Sequence, residues 1–545
     1  MKRLLQIVIA VALCMIGTNA MAQMSYGGEP YSFKHTISVN VPTVEIEALD
    51  AEALLAEDAA IEGKDHALRI GVTKDVNYSI HNSGRMDLMP DGTRIWRLAF
   101  HMKDATFTSM NFSTFNIPEG AELYFYTPDR EYVIGKFTSA NKMEDGTFYP
   151  QELPGEDIVI EYVEPAGVAF NGDLVIDQIS QGYYDFFHIN NKDVEGGLGD
   201  AEGTCHPNAI CYDAQWHAQI SSVVCYTMTS GGYVYMCSGA MINNTAHNQK
   251  QYLLSANHCY EGGTWKFYFR YQATTCNGTN GSVLKTATGY AVKARDDGDY
   301  SSDFMLVEIT GTINPAFDVY FAGWDLSTSV PSNPTSCGAI HHPGGDIKKF
   351  SIPQHIVNGS TYGYTKFWGV NWAQVTGATE QGSSGSPLFN KDKLIVGQLY
   401  AGSSSCSSPS GYDFYGKISN SWTNNNNSSN AKKLKPWLDP TNSGTTVLQG
   451  EWMNGAPSSS INSEDVKSLN IYPNPSNGSF HITGEFSEGT GICNVYNMMG
   501  TLVSSKAVAL DSEFTLNLNN LTPGMYMLEI NDNNNSYRSK IIISK

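Results

Sequence analysis

Beyond its first two dozen residues the chain has no long uncharged apolar run, which excludes a helical membrane span over that length. Positive charge is scarce too. Against 54 Asp and Glu stand only 34 Lys and Arg, and the resulting net charge of −20 argues against nucleic acid as a partner. Cysteine is missing from residues 24–192, and no two cysteines anywhere have the C-x-x-C spacing of a zinc site. Neither a metal nor another cofactor is expected. At 545 residues the chain is too long for a single domain.

What is present begins with the opening MKRLLQIVIAVALCMIGTNAMAQ. Two basic residues, an apolar run and Ala20-Met21-Ala22 make residues 1–22 a secretory signal peptide cut before Gln23. Leu13 precedes Cys14 where a lipid-anchored cysteine needs a small residue, so the mature protein is expected to be soluble and exported. Export gives the cysteines their meaning. Removing Cys14 from the ten leaves nine, of which eight lie between Cys205 and Cys406, and such a cluster reads as disulfides. Cys493 stands alone and is expected to be unpaired.

Residues 23–192 contain alternating segments such as TRIWRLAFHM, AELYFYTP and EDIVIEYVEP between Gly, Pro, Asp and Asn, the signature of strands and turns, with one helix near EIEALDAEALLAEDAAIEG. Residues 193–452 hold the clustered cysteines, many short strands and Gly/Ser/Asn-rich loops, a pattern for an antiparallel barrel or sandwich, and a short basic helix closes them. A polar linker at 453–466 leads to a small β-sandwich at 467–545. The fold class is mainly β.

Three segments of the middle region carry chemistry. In LLSANHCYEGG, His258 follows a buried apolar run; taken alone it is an ordinary core or surface histidine. In DYSSDFMLVEI, Asp303 opens an apolar strand, where it either orients an imidazole or caps its own backbone. In TEQGSSGSPLFN, Ser384 sits among glycines that let a carbonyl approach and let backbone N–H groups face an oxyanion; the bland reading is a flexible loop. Asp296, Asp297 and Asp299 read as a solvated loop. The adjacent His341 and His342 face opposite sides of a strand, so a shared metal is not expected.

Together LLSANHC, SDFMLVEI and GSSGSP resemble the signature segments of chymotrypsin-like serine proteases. The longer segments CSGAMINNTAHNQKQYLLSANHC, NPAFDVYFAGWD, AIHHP, TEQGSSGSPLF, GQLYAGSSSCS and YDFYGKISNSW narrow the resemblance to bacterial lysyl endopeptidases over roughly residues 205–440. The C-terminal IYPNPSNG, VYNMMGTLV, LTPGMYMLEI and KIIISK resemble the sorting domain of the type IX secretion pathway of Bacteroidetes.

The resemblance implies a chymotrypsin-like double β-barrel catalytic domain preceded by a β-rich propeptide and followed by the sorting β-sandwich. It implies a secreted or cell-surface serine endopeptidase, exported through the periplasm and outer membrane, that cleaves after lysine. Ser384 is then the nucleophile, His258 the general base and Asp303 its orienting acid. The N–H groups of Gly382 and Ser384 form the oxyanion hole. Asp413, in GYDFYGK, is the acid of the lysine pocket, against the alternative of a residue capping a turn before Tyr415. The family pairing carried over by position is Cys205–Cys406, Cys211–Cys276 and Cys237–Cys259, leaving Cys225 and Cys337 to pair with each other.

Two departures matter. Ser383 replaces the aspartate that in trypsin-type zymogens pairs with a freed amino terminus, so activation is expected through removal of the propeptide, with a self-cut at Lys192–Asp193. Tyr400 in GQLYAG stands where the best-known member has histidine. The implied partners are protein or peptide substrates and the type IX machinery, with the protein a monomer. Rival readings are a protease of arginine or glutamate specificity, a catalytically inactive protease-like binding protein, and an adhesin.

Overall fold

The structure is a computed structural model. It describes residues 27–61, 65–185, 205–453 and 470–544, apart from 280, 297, 299–300, 373–376, 409, 425–426, 485, 487–488, 498–501, 511–512, 520 and 532–535. The signal peptide, its cut after Ala22, the Lys192–Asp193 bond and most of the linker lie outside the described residues. Two compact units are formed: one contains the chain up to Ile210 with Ala218–Glu451, the other Cys211–His217 with Trp452 onward. No described helix is long and apolar enough to cross a membrane.

The N-terminal stretch of the first unit is built on strands β1 (Leu68–Ser79), β2 (Arg94–Met102), β3 (Phe107–Asn116), β4 (Glu122–Tyr126), β5 (Asp157–Glu164) and β6 (Asp173–Gly182). Its expected helix is Ala51–Ala59, capped by the Asp50 side chain. β2 pairs antiparallel with β5, and β5 with β4. Trp96, Leu98, Phe100, Phe112, Phe115, Phe125 and Phe148 fill the core beneath them. At roughly 25 cal/mol per Å² of buried apolar surface, such an aromatic core holds the stretch together without a disulfide.

The next strands are β7 (Val223–Ser230), β8 (Tyr233–Met241), β9 (Tyr252–Ala256), β10 (Thr264–Phe269), β11 (Tyr290–Arg295) and β12 (Phe304–Ile309). Between β7 and β8 the Gly231-Gly232 pair has positive φ at both positions (59° and 93°), the geometry a two-residue hairpin loop requires. The remaining order is β11–β12–β9–β8–β7–β10. On its other side β8 pairs with β1, with Val234 opposite Gly71 and Met236 opposite Leu68. The N-terminal stretch thus adds a strand to the sheet that will carry His258.

The second sheet contains β13 (Gly338–His341), β14 (Pro353–Asn358), β15 (Phe367–Trp372), β16 (Pro387–Phe389), β17 (Ile395–Gly402) and β18 (Tyr412–Lys417), in the order β13–β16–β17–β18–β15–β14. Its core holds Ala339, Trp368, Val370, Leu388, Val396 and Tyr415. The expected closing helix is Lys435–Leu438.

In the second unit, a three-stranded sheet (Asn470–Tyr472, Ser479–Thr483, Glu513–Asn517) accompanies a four-stranded one (Leu502–Leu510, Gly489–Asn497, Gly524–Asn531, Ser536–Ile543). Phe480, Ile482, Val495, Leu528, Ile530 and Ile541 form the core they share.

The cysteines require one correction. Cys205–Cys406 and Cys237–Cys259 are bonded, and Cys211 and Cys276 are disulfide-bonded as well. Cys225 and Cys337 do not pair; both are free and buried. Cys225 lies on β7 among Leu68, Ile70, Val234 and Met236, whereas Cys337 precedes β13 in the core of the other sheet. Each thiol belongs to a separate apolar core, and burial pushes both up, Cys337 to about 11. Cys493 is free, as expected.

Candidate active site

β9 is buried along its whole length because it is paired on both sides, with β8 and with β12. A short 3-10 turn, Asn257–Cys259, ends it and turns His258 out of the sheet. Cys259 is tied to Cys237 on β8, so the turn cannot swing away from its neighbouring strand.

Asp303 immediately precedes β12 and has a positive φ of 55°. Its carbonyl accepts from Asn257 N (2.9 Å) and from Gln398 Nε2 (3.2 Å). These bonds hold the residue in a conformation that side chains seldom adopt. The carboxylate takes two bonds from His258: the backbone N–H at 2.9 Å and Nδ1 at 2.7 Å. With Nδ1–H donating to the carboxylate, Nε2 carries the lone pair, and it has no hydrogen-bond partner among the described residues. A base oriented in this way is ready to accept a proton.

Ser384 is fully buried in a turn held by Ser383 N to Glu380 O and Ser386 N to Ser383 O, both 3.0 Å. Contacts to the first sheet fix its position: Ser238 N donates to Ser384 O (2.9 Å) and Ser238 Oγ to Gly382 O (2.8 Å). Gly385 fits so tightly that a Cβ there would lie 2.0 Å from Ser255 Oγ and 2.8 Å from Ala256 N. Glycine at 385, with φ 81°, is thus what lets the serine turn lie against the end of β9, at Ser255 and Ala256. Gly382 has φ 82° and its Cβ position is blocked by His342 O at 2.8 Å.

Asp413 on β18 is fully buried. Its Oδ2 accepts from Trp372 Nε1 and Thr379 Oγ1, both at 2.6 Å, and from Ser404 Oγ; its Oδ1 accepts from Ser404 N at 3.2 Å. A Cβ at residue 402 would fall 1.9 Å from Asp413 Oδ1, which accounts for Gly402. Burial of a carboxylate is tolerated where several donors converge on it. Trp372, Thr379 and Ser404 were not legible as site residues, since nothing in an alternating strand or a serine run says which carboxylate a donor will reach.

The N-terminal stretch reaches this region as well. His66 Nε2 accepts from Gln381 Nε2 at 3.0 Å, and Leu68 Cδ2 would lie 3.3 Å from a Cβ on Gly382. Burial holds His66 below its ordinary value, with His258 adding to the effect and Asp65 and Asp58 opposing it. The Tyr400 ring stands edge-on to His258 (6.1 Å between centroids) and beside Phe367 (5.1 Å). Burial is the main cause of its raised pKa, followed by Asp65 and Asp303.

The expectation of a solvated loop fails at Asp296. This residue is buried, its N–H bonds Phe304 O at 3.0 Å and its carboxylate receives Gly298 N, so it closes a turn next to Asp303. Asp297 and Asp299 lie outside the described residues. His341 and His342 do point to different partners: His341 bonds Ser383 and Ser351, while His342 donates to Asp346 O and stacks on Tyr271.

Residues 199–416 match the family described as lysyl endopeptidase, C-terminal domain, and residues 470–544 match the secretion system C-terminal sorting domain. A lysyl endopeptidase of Pseudomonas aeruginosa is 29% identical over 317 residues, covering 54% of this chain and 65% of that protein. The chain therefore spans just under two thirds of the length of this curated relative. Among solved structures, human heparin binding protein is similar at a TM-score of 0.28 and 14% identity, over 37% of this chain and 88% of that one. A serine endoprotease from Yersinia pestis is similar at a TM-score of 0.28 and 15% identity, over 61% and 96%. His258, Asp303, Ser384 and Asp413 all fall within the stretch that matches the lysyl endopeptidase C-terminal domain, and residues 470–544 are similar to the secretion system C-terminal sorting domain.

Proposed function

We propose that this protein is a secreted serine endopeptidase that cleaves peptide bonds on the carboxyl side of lysine and is made as a covered precursor. The observation that carries the reading is the His258–Asp303 pair, with Nδ1 committed to the carboxylate at 2.7 Å and Nε2 without a hydrogen-bond partner among the described residues.

In the reaction, Ser384 Oγ attacks the substrate carbonyl carbon while His258 Nε2 takes the hydroxyl proton. Asp303 holds the tautomer and stabilises the imidazolium. The backbone N–H groups of Gly382 and Ser384 receive the oxyanion. Collapse of the tetrahedral intermediate breaks the C–N bond as His258 returns its proton to the leaving amine, and water repeats the sequence on the acyl-enzyme. Asp413 places a buried negative charge where the substrate ammonium is bound, which favours lysine and disfavours glutamate.

Residues 23–192 act as the propeptide. The addition of β1 to β8, the His66–Gln381 bond and Leu68 against Gly382 support a cover over the serine turn. Its removal, with a self-cut at Lys192–Asp193, opens the cleft. The sorting domain at 467–545 takes the exported monomer to the type IX machinery and is released in the 453–466 linker.

The test is to digest an unmodified protein with the matured enzyme and sequence the products. New termini should follow lysine. Ser384→Ala should lower the rate by about 10⁴-fold or more while Ser386→Ala acts far more weakly. Undiminished cleavage by Ser384→Ala would refute the assignment.

A further inference from the structure

Residue 383 is where trypsin-type enzymes carry an aspartate for the freed amino terminus, and here it is a serine. The structure shows what this serine holds instead. Ser383 Oγ lies 2.7 Å from His341 Nδ1, and His341 Nε2 lies 2.8 Å from Ser351 Oγ. All three residues are buried.

Ser351 spends its one hydroxyl proton on Ala378 O at 2.9 Å, so toward His341 it accepts, and His341 Nε2 carries the proton. The neutral ring then accepts at Nδ1 from the Ser383 hydroxyl. Ser383 Oγ in turn accepts from Glu380 N at 3.2 Å. One imidazole, rooted at the end of β13, thereby fixes the chain at Ala378, Glu380 and Ser383, on both sides of Gly382 and directly before Ser384. His206 supports the same segment: its Nε2 meets Glu380 Oε1 at 3.3 Å and its ring lies edge-on to His341, 5.7 Å between centroids.

Building on the proposed serine endopeptidase reading, we propose that His341 is a positioning residue for the oxyanion site. Its bond to Ser383 replaces the ion pair to a new amino terminus, so the turn bearing Gly382 and Ser384 is set by the folded interior rather than by a propeptide cut. Activation then consists of uncovering a site that is already formed. A residue of this kind acts on the transition state, where the oxyanion develops, more than on substrate binding in the Asp413 pocket.

The test uses the full-length chain, with each variant matured in trans by trace wild-type enzyme that is removed by its tag. Hydrolysis of a lysyl amide is compared for the wild type, His341→Leu, His341→Asn, Ser383→Ala and the His341→Leu/Ser383→Ala double variant. The expected result for His341→Leu and Ser383→Ala is a fall in kcat of about 10²–10³-fold with KM within about threefold, the size seen when one oxyanion donor is lost. A lysyl boronate, which mimics the tetrahedral state, should lose affinity by the same factor. The double variant should be no worse than either single change, because both break one link. His341→Asn, which keeps an acceptor near the Nδ1 position, should recover part of kcat.

Ser383→Ala, a small deletion, decides the matter if His341→Leu fails to fold. Near-wild-type kcat in Ser383→Ala, a loss confined to KM, or a double variant that multiplies the two single losses would overturn the proposal. A wild type that does not cleave after lysine would overturn the functional reading instead, and this inference with it.

Discussion

Asp413→Asn tests the pocket most directly, because it removes one charge and almost no volume. At about 4 Å and an effective dielectric of about 20, a carboxylate–ammonium contact is worth about 4 kcal/mol, a factor of roughly 10³. An asparagine oxygen retains part of this as a dipole, so kcat/KM for lysyl substrates should fall by about 10²–10³-fold. The fold should register the change too. Oδ2 serves Trp372 Nε1, Thr379 Oγ1 and Ser404 Oγ, while Oδ1 serves Ser404 N at 3.2 Å. If the amide oxygen takes the triple site, the NH₂ group faces Ser404 N–H, and two donors meet. That costs about 1–3 kcal/mol, a downward shift of several degrees in Tm by calorimetry. The assay is kcat/KM on matched peptides with lysine or its uncharged isostere norleucine before the scissile bond. The ratio of the two should collapse in the variant. A lysine value within threefold of the parent, or an equal loss on both peptides, would show that Asp413 is not the pocket acid.

The precursor should depend on Glu152, which is buried with Lys266 (Oε1 to Nζ, 2.9 Å) and also receives Tyr268 OH. Glu152→Ala leaves the lysine buried without its counter-charge and should destabilise the precursor by about 3–5 kcal/mol in urea unfolding; a change under 1 kcal/mol, about the worth of a surface pair, would contradict this. His342 gives the acid dependence. Burial lowers it to about 3 from 6.5, with Lys348 adding to the shift and Asp346 opposing it, so the folded state holds the ring neutral while the unfolded chain takes up a proton below pH 6.5. Its contribution is complete above pH 6.5 and is lost as pH falls toward 3, at about 1.4 kcal/mol per unit. His342→Gln should flatten that part of the stability profile, and an unchanged slope would refute the assignment. Asp65, whose neighbour His66 bonds Gln381, is preceded in the sequence by Lys64. A lysine-specific enzyme can cut there, so Lys64→Ala should delay loss of the propeptide as followed by amino-terminal sequencing; an unaltered time course would exclude a role for that bond.

Much of the site was legible because the signals are short-range. The apolar run of β9 before His258, the strand start at Asp303 and the glycines around Ser384 each describe a local backbone need. The basic and apolar opening segment, the clustered cysteines and the alternating segments likewise pointed to an exported, disulfide-containing, mainly β chain. Pairing between distant segments was a different matter. Cys225 and Cys337 look like partners in a count of cysteines, but which core each thiol enters depends on strand order across two sheets. Asp296 reads as solvated until β11 and β12 pair and its N–H meets Phe304 O, which buries it. The joining of β1 to β8, the four hydrogen bonds converging on Asp413 and the Ser383–His341–Ser351 chain all bring together residues far apart in sequence. Periodicity sets which face of a strand is buried. Only the assembled sheets decide what that face meets, because a hydrogen bond requires its two atoms within about 3 Å, and tertiary packing alone sets that distance.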